Sequence, residues 1–156
     1  MGLDMYLNKR HYIGNEYRKP EQMVTIKVPK VREGFPIGKI DHKRITEIVE
    51  RVGYWRKANA IHAWFIENCG DGEDNCQDIF VSYEKLRELL DTCKEVLEAS
   101  ELVEGKVQNG YNIVDGKEVP IMEDGKYIKD STVAQELLPS QEGFFFGGTE
   151  YDEYYL

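Results

Sequence analysis

The sequence has few of the features that stabilise small secreted proteins or mark membrane proteins. Its three cysteines, Cys69, Cys76 and Cys93, are an odd number and cannot all pair. There is no apolar run near the roughly 18 residues that a transmembrane helix needs, and no signal-peptide core. We therefore expect free thiols, a cytoplasmic location and no membrane partner. At 156 residues the chain is long enough for a single domain, 1–156, with a core of its own.

Motifs of the common enzyme classes are also missing. The chain has no Gly-x-Ser-x-Gly, no Walker A sequence and no Gly-x-Gly-x-x-Gly. His62, Cys69 and Cys76 are too widely spaced for a zinc knuckle, and the acidic residues among them do not follow the order of an EF-hand loop. Cys69 follows a predicted helix C-terminus, where a thiolate is disfavoured. We therefore expect no metal, no cofactor and no catalytic nucleophile.

The charges are unevenly distributed along the chain. Residues 1–66 hold 13 Lys or Arg and 7 Asp or Glu, a net charge of +6, whereas residues 67–156 hold 7 and 22, a net charge of −15. The sum is −9, which disfavours long nucleic acid as a partner. A basic first part suits an anionic ligand of limited size, although the two parts could also neutralise each other within the fold or in a homodimer.

The patterns along the chain predict an α+β fold, with an antiparallel sheet packed on two main helices and a β-hairpin arm. Alternation predicts strands over residues 3–8 and 22–28, and a third strand over 45–53 is favoured over a helix. A short strand is expected at 79–81. Ser82 is the expected N-cap of a helix that runs to about Ala99, and a short helix is expected over 132–138. Three turn dipeptides within 104–129 predict a meander of short hairpins that forms the arm.

The stretch from Tyr54 to Phe65 carries the predicted site. Its spacing fits a helix from about Tyr54 to Glu67, with Arg56, Asn59 and His62 in a polar row beside the apolar stripe. Arg56 and Lys57 supply charge for a phosphate, and Asn59 and His62 supply hydrogen bonds. The expected stacking residues are Tyr12, Tyr54, Trp55 and Phe145. The same positions are also explained by core packing and structural hydrogen bonds.

Several segments together are similar to a family of small proteins encoded by bacteriophages and prophages. They are the Met-Gly-Leu-Asp-Met-Tyr-Leu start, the Tyr-Trp-Arg-Lys-Ala-Asn-Ala-Ile-His block at 54–62 and the Gly-Phe-Phe-Phe-Gly segment at 143–147. The resemblance implies a factor that acts in the host cytoplasm against bacterial defence. One such class sequesters cyclic nucleotide signals of bacterial immunity.

The function expected from residues and resemblance together is non-catalytic sequestration of a small anionic nucleotide, such as a cyclic dinucleotide. Two alternatives stay open. The first is an enzyme that acts on a nucleotide or phosphoester with His62 as acid or base. The second is an acidic inhibitor that binds a host protein through the −15 part of the chain.

Overall fold

A computed structural model describes residues 3–27, 40–143 and 146–156 of the chain. Its strands and helices are β1 (Asp4–Tyr12), β2 (Glu47–Arg56), α1 (Asn59–Cys69), α2 (Tyr83–Ala99), β3 (Leu102–Val114), β4 (Lys117–Ile128) and α3 (Thr132–Leu137). In the described residues between β1 and β2, single-turn 3-10 helices lie at Asn15–Tyr17, Pro20–Gln22 and His42–Arg44. The α+β prediction is confirmed: β1 pairs with β2 and β3 with β4, both antiparallel.

The chain divides into two compact units. Unit 1 comprises residues 1–5 and 55–156, and unit 2 comprises residues 6–54. From the sequence, unit 2 holds 11 Lys or Arg and 6 Asp or Glu, a net +5, while unit 1 holds 9 and 23, a net −14. The expectation of one domain, 1–156, stays a prediction.

The core of unit 1 is built on the two main helices. α1 contributes Ala60, Trp64 and Phe65, and α2 contributes Leu89 and Val96. Ile128 at the end of β4, Ala134 in α3 and Leu138 just after α3 complete it. The Ser82 hydroxyl accepts a hydrogen bond from the Lys85 amide at 3.2 Å, which confirms the predicted N-cap of α2.

Unit 2 is organised around a buried amide. Asn15 is 0 % exposed, and its Nδ2 donates to the carbonyl oxygens of Val24 and His42, each at 2.7 Å. Its Oδ1 accepts from the Val24 amide at 3.0 Å. Ile45 is the single apolar side chain that is buried in the described part of this unit. Hydrogen bonds from one side chain therefore connect segments that have little apolar core to hold them.

β3 and β4 form the predicted arm as one long hairpin, not as a meander of short ones. Of the three turn dipeptides only Asp115-Gly116 turns the chain, with positive φ at both residues, as a two-residue hairpin loop requires. Asn109-Gly110 forms an irregularity in the pairing between Gln108 and Tyr111. Asp124-Gly125 lies inside β4, where the Val107 side chain fills the space beside Gly125.

Three other predictions of secondary structure were wrong. The helix expected from Tyr54 is strand as far as Arg56, and α1 begins only at Asn59. A strand was expected over 22–28. Instead, Gln22 is the last residue of a 3-10 helix, and residues 23–27 are irregular. Val28 lies outside the described residues. Residues 79–81 are not in a strand. β2 itself confirms the preference for a strand at 45–53.

Candidate functional site

The junction between β2 and α1, residues 55–59, presents two adjacent cations. Arg56 ends β2, and Lys57 adopts a left-handed conformation with φ 59° that turns the chain into α1. The Lys57 amide donates to the Leu3 carbonyl at 2.8 Å, and the Lys57 carbonyl accepts from the Asn59 amide at 2.9 Å. Both side chains are exposed, and neither forms an ion pair with another residue in the described ranges. No side chain caps the start of α1 there.

Asn59 holds residues 141–143 and 146–148, which we call the C-terminal segment, against this junction. Its Nδ2 donates to the carbonyl oxygens of Phe146 at 3.3 Å and Gly148 at 2.9 Å. Its Oδ1 accepts from the Gln141 amide at 3.0 Å. The side chain is buried and both ends of the amide are in use, so the structure gives Asn59 a positioning role at the junction.

His62 lies one helical turn further along α1 and contacts the same segment. Its ring meets Phe146 edge to face, with centroids 5.3 Å apart. Its Nε2 lies 3.5 Å from Oδ2 of Asp74, and the side chain is 13 % exposed. A packed ring with one nitrogen directed at a carboxylate has a fixed orientation. His62 therefore presents little surface to a ligand in this conformation.

Gly147 packs against the side chain of Lys57. A Cβ built on Gly147 would lie 3.4 Å from Cβ of Lys57, and Gly147 has φ 91°. The C-terminal segment thus passes along the aliphatic part of the Lys57 side chain. Trp55 turns away from this surface and packs against the core, with its ring 5.9 Å from Phe65.

The predicted site residues are divided between unit 1, unit 2 and the part of the chain that the structure does not describe. Lys57, Asn59 and His62 all contact the C-terminal segment, Arg56 adjoins them in sequence and Trp55 packs on the core. Tyr12 and Tyr54 belong to unit 2, where Tyr12 is 72 % and Tyr54 is 52 % exposed. Phe145 lies outside the described residues. The helical row of Arg56, Asn59 and His62 does not form, because Arg56 is in a strand.

Some residues that shape these surfaces were not recognised in the sequence. Asp74 pairs with His62 from a loop in which acidic residues are common, so nothing in the pattern singles it out. In unit 2, Tyr6 stacks on Tyr54 and lies under Arg51. Tyr6 and Tyr12 alternate with half-buried residues along β1. This alternation was the signal that could have identified the exposed aromatic surface of unit 2.

Two of the three free thiols, Cys69 and Cys93, are partly buried. Burial raises the pKa of the Cys69 thiol, and the positive charge of Lys85 offsets part of this rise. Burial also raises the pKa of the Cys93 thiol. Both groups are therefore protonated at neutral pH. Within the ranges that the structure covers, no three His, Cys, Asp or Glu side chains are grouped as metal ligands. No helix in these ranges is long and apolar enough to cross a membrane.

The chain was compared with known proteins and structures. Searches against protein-family models, curated proteins and solved structures found no match. Function must therefore be inferred from the chemistry of the described residues.

Proposed function

We propose that this protein is a non-catalytic binding protein that sequesters a small phosphate-bearing ligand at the β2–α1 junction. The observation that carries the proposal is the exposed pair Arg56 and Lys57 at the start of α1, unpaired with any carboxylate in the described ranges. Arg56 can bind a phosphate through two parallel hydrogen bonds, and Lys57 adds a point charge. The N-terminal end of an 11-residue helix adds a partial positive charge.

The rigidity of the junction supports binding over a role as a solvated turn. Asn59 fixes the C-terminal segment, and Gly147 packs on the stem of Lys57. A cation whose stem is held loses less conformational entropy when it binds an anion. The left-handed backbone of Lys57 is also an unusual conformation for a lysine, and such conformations cluster at functional sites.

The resemblance to phage-encoded proteins suggests which phosphates to test first. A signal of bacterial immunity such as a cyclic dinucleotide carries two phosphates and is the ligand class we favour. In this proposal Arg56 and Lys57 neutralise one phosphate, while Asn59 acts as a positioning residue. The ligand is released unchanged, since the mechanism contains no chemical step.

Isothermal titration calorimetry with cyclic mononucleotides, cyclic dinucleotides and pyrophosphate tests the proposal. Arg56→Ala should weaken binding about 10- to 150-fold, the range for one charge-assisted hydrogen-bonding group. Lys94→Ala is the matched control, because Lys94 is an exposed lysine of α2 that pairs with Asp91. Equal affinities of wild type and Arg56→Ala, or an equal loss in Lys94→Ala, would show that the junction is not the site.

Lys57→Gly separates binding from folding. Glycine adopts the left-handed conformation without steric cost, so this variant should be as stable as wild type or more stable by up to about 1 kcal/mol. It should nevertheless bind the ligand more weakly, because the charge is gone. A loss of affinity without a loss of stability cannot be attributed to unfolding. Unchanged affinity in a stable Lys57→Gly protein would contradict the assignment.

The enzyme alternative makes a different prediction for the ligand. If His62 acted as acid or base, ligand recovered after incubation and denaturation would be chemically altered, and His62→Gln would prevent the change. Sequestration predicts unaltered ligand by mass spectrometry for both proteins. The same samples used for calorimetry are sufficient for this measurement.

A further inference from the structure

Unit 2 exposes an aromatic and basic surface that the proposed function does not use. Alternate residues of β1 point to its exposed face: Tyr6, Asn8, Arg10 and Tyr12. β2 adds Arg51 and Tyr54 to this surface, which we call the tyrosine face. All six of these side chains belong to exposed residues.

Contacts at one end of the tyrosine face order its rings. The rings of Tyr6 and Tyr54 stack with centroids 5.3 Å apart and planes 26° apart. The guanidinium carbon of Arg51 lies 4.1 Å from the centroid of the Tyr6 ring. Burial does not alternate strictly along β2, since residues 49–52 are all exposed between the half-buried Ile48 and Gly53. Arg51 and Tyr54 are three residues apart in β2, and both contact Tyr6.

Stabilisation of a two-stranded sheet explains only part of this arrangement. Cross-strand aromatic and cation contacts do stabilise paired strands, and Tyr6 serves that purpose with both of its neighbours. Tyr54 keeps about half of its surface exposed, and Tyr12 is 72 % exposed. These rings offer uncovered surface at both ends of β1. A planar group stacked on either ring would bury apolar area that the fold leaves in water.

The charge of unit 2 defines what kind of planar group fits. The net charge of −9 disfavours nucleic acid only for the chain as a whole, because unit 2 carries +5. The described residues 6–27 and 40–54 alone hold 8 Lys or Arg and 5 Asp or Glu, a net +3. Carboxylates are present too: Arg10 pairs with Glu47 at 3.8 Å and His11 with Glu50 at 3.3 Å. The surplus is nevertheless positive, and it lies in the same unit as the exposed rings.

We propose that the tyrosine face binds a short single strand of nucleic acid, with bases stacked on Tyr12 and Tyr54 and phosphates near Arg10 and Arg51. The six-residue separation of Tyr6 and Tyr12 corresponds to about 20 Å along β1. That length accommodates about four nucleotides, the lower end of known single-strand site sizes. A duplex is excluded, since its bases already stack on one another. This proposal uses none of the residues assigned to the Arg56 and Lys57 junction.

Fluorescence anisotropy with labelled oligothymidylate and oligouridylate of about twelve nucleotides tests the proposal. At low salt the whole chain should bind at least one of them, and binding should weaken as salt rises. Tyr12→Ala and Tyr54→Ala should each weaken binding about 5- to 150-fold. Tyr17→Ala is the matched control: Tyr17 is a tyrosine of the same unit, 81 % exposed, and lies outside the strands. Its affinity should not change.

Several results would overturn the proposal. They are the absence of binding at low salt, equal competition by a duplex, or an equal loss of affinity in Tyr17→Ala. Should Tyr54→Ala unfold, Tyr54→Leu keeps the bulk and Tyr54→Phe keeps the ring, so only the leucine variant should lose affinity. Photocrosslinking of wild-type protein to a thiouridine-containing strand needs no variant. Crosslinks should map to peptides containing Tyr12 or Tyr54, and crosslinks confined to unit 1 would refute the site.

Single variants distinguish the two proposed sites. Arg56→Ala should bind oligonucleotide like wild type while losing the small ligand. Tyr12→Ala should show the opposite pattern. If oligonucleotide binding disappeared only in Arg56→Ala, the anion site would be the junction and the tyrosine face would have no role.

Discussion

Replacing Asn15 by alanine should destabilise unit 2 selectively. The substitution removes an amide that makes three hydrogen bonds, two to carbonyl oxygens at 2.7 Å and one from the Val24 amide at 3.0 Å. These bonds connect the first 3-10 helix with the chain at Val24 and His42. After the substitution the three backbone groups must find water or remain unpaired.

The expected loss is about 3 kcal/mol, since each of three hydrogen bonds contributes a net free energy of about 1 kcal/mol. This is a large fraction of the 5–15 kcal/mol by which whole domains are stable. Unit 2 has little else to compensate, because Ile45 is its single buried apolar side chain in the described ranges. Asn15→Asp should be worse at neutral pH, because a carboxylate would face the two carbonyl oxygens that now accept from Nδ2.

Hydrogen exchange measured by mass spectrometry locates the effect, and denaturant unfolding gives its size. In Asn15→Ala, peptides covering residues 11–24 and 40–46 should exchange faster, while peptides of α2 keep their wild-type protection. Asn8→Ala is the control, since Asn8 is an exposed asparagine of β1. The reasoning is refuted if the two variants differ by less than about 0.5 kcal/mol, the range of ordinary surface substitutions.

Three further predictions concern unit 1. Burial raises the pKa of Tyr155, whose hydroxyl donates to the Leu138 carbonyl at 2.8 Å. As the pH rises, the unfolded state therefore releases this proton first. The free energy of unfolding should fall above about pH 10 by up to about 1.4 kcal/mol per pH unit. Urea titrations should show a smaller fall with pH for Tyr155→Phe than for wild type. Ser82→Ala should cost about 1 kcal/mol in the same assay, and an unchanged midpoint would contradict the cap. Joining Val107 to Glu123 by an Asn-Gly turn should leave the melting temperature within a few degrees of wild type, because all of the replaced residues 108–122 are exposed except the half-buried Ile121. A collapse of the melting transition would mean that the outer arm supports the core.

Local patterns were sufficient where one element satisfies its own requirements. α2 was predicted between Ser82 and Ala99, because its cap and its apolar stripe lie within its own sequence. β1 was predicted from alternation, and the arm from its turn dipeptides. The arm was nevertheless expected as several hairpins, since Asn109-Gly110 and Asp124-Gly125 have the same local preference as the true turn. Only the pairing of β3 with β4 selects among the three.

The junction could not be predicted because its conformation depends on distant partners. Tyr54 to Arg56 have helical spacing with the residues that follow, but pairing of β2 with β1 holds them extended. The pattern also gave no reason for Lys57 to be left-handed. Its amide bonds to Leu3, more than fifty residues earlier in the chain, and this contact helps to fix the turn.

The sequence by itself determined the fold class, the helix from residue 83 to 99, the hairpin arm and the opposite charges of the two parts of the chain. These properties follow from composition and from contacts between near neighbours. The tertiary structure decided the rest. It made Asn59 an anchor for the C-terminal segment, and it placed Tyr54 and Arg51 in contact with Tyr6. In each case the partners are far apart in sequence, so no local pattern records the contact.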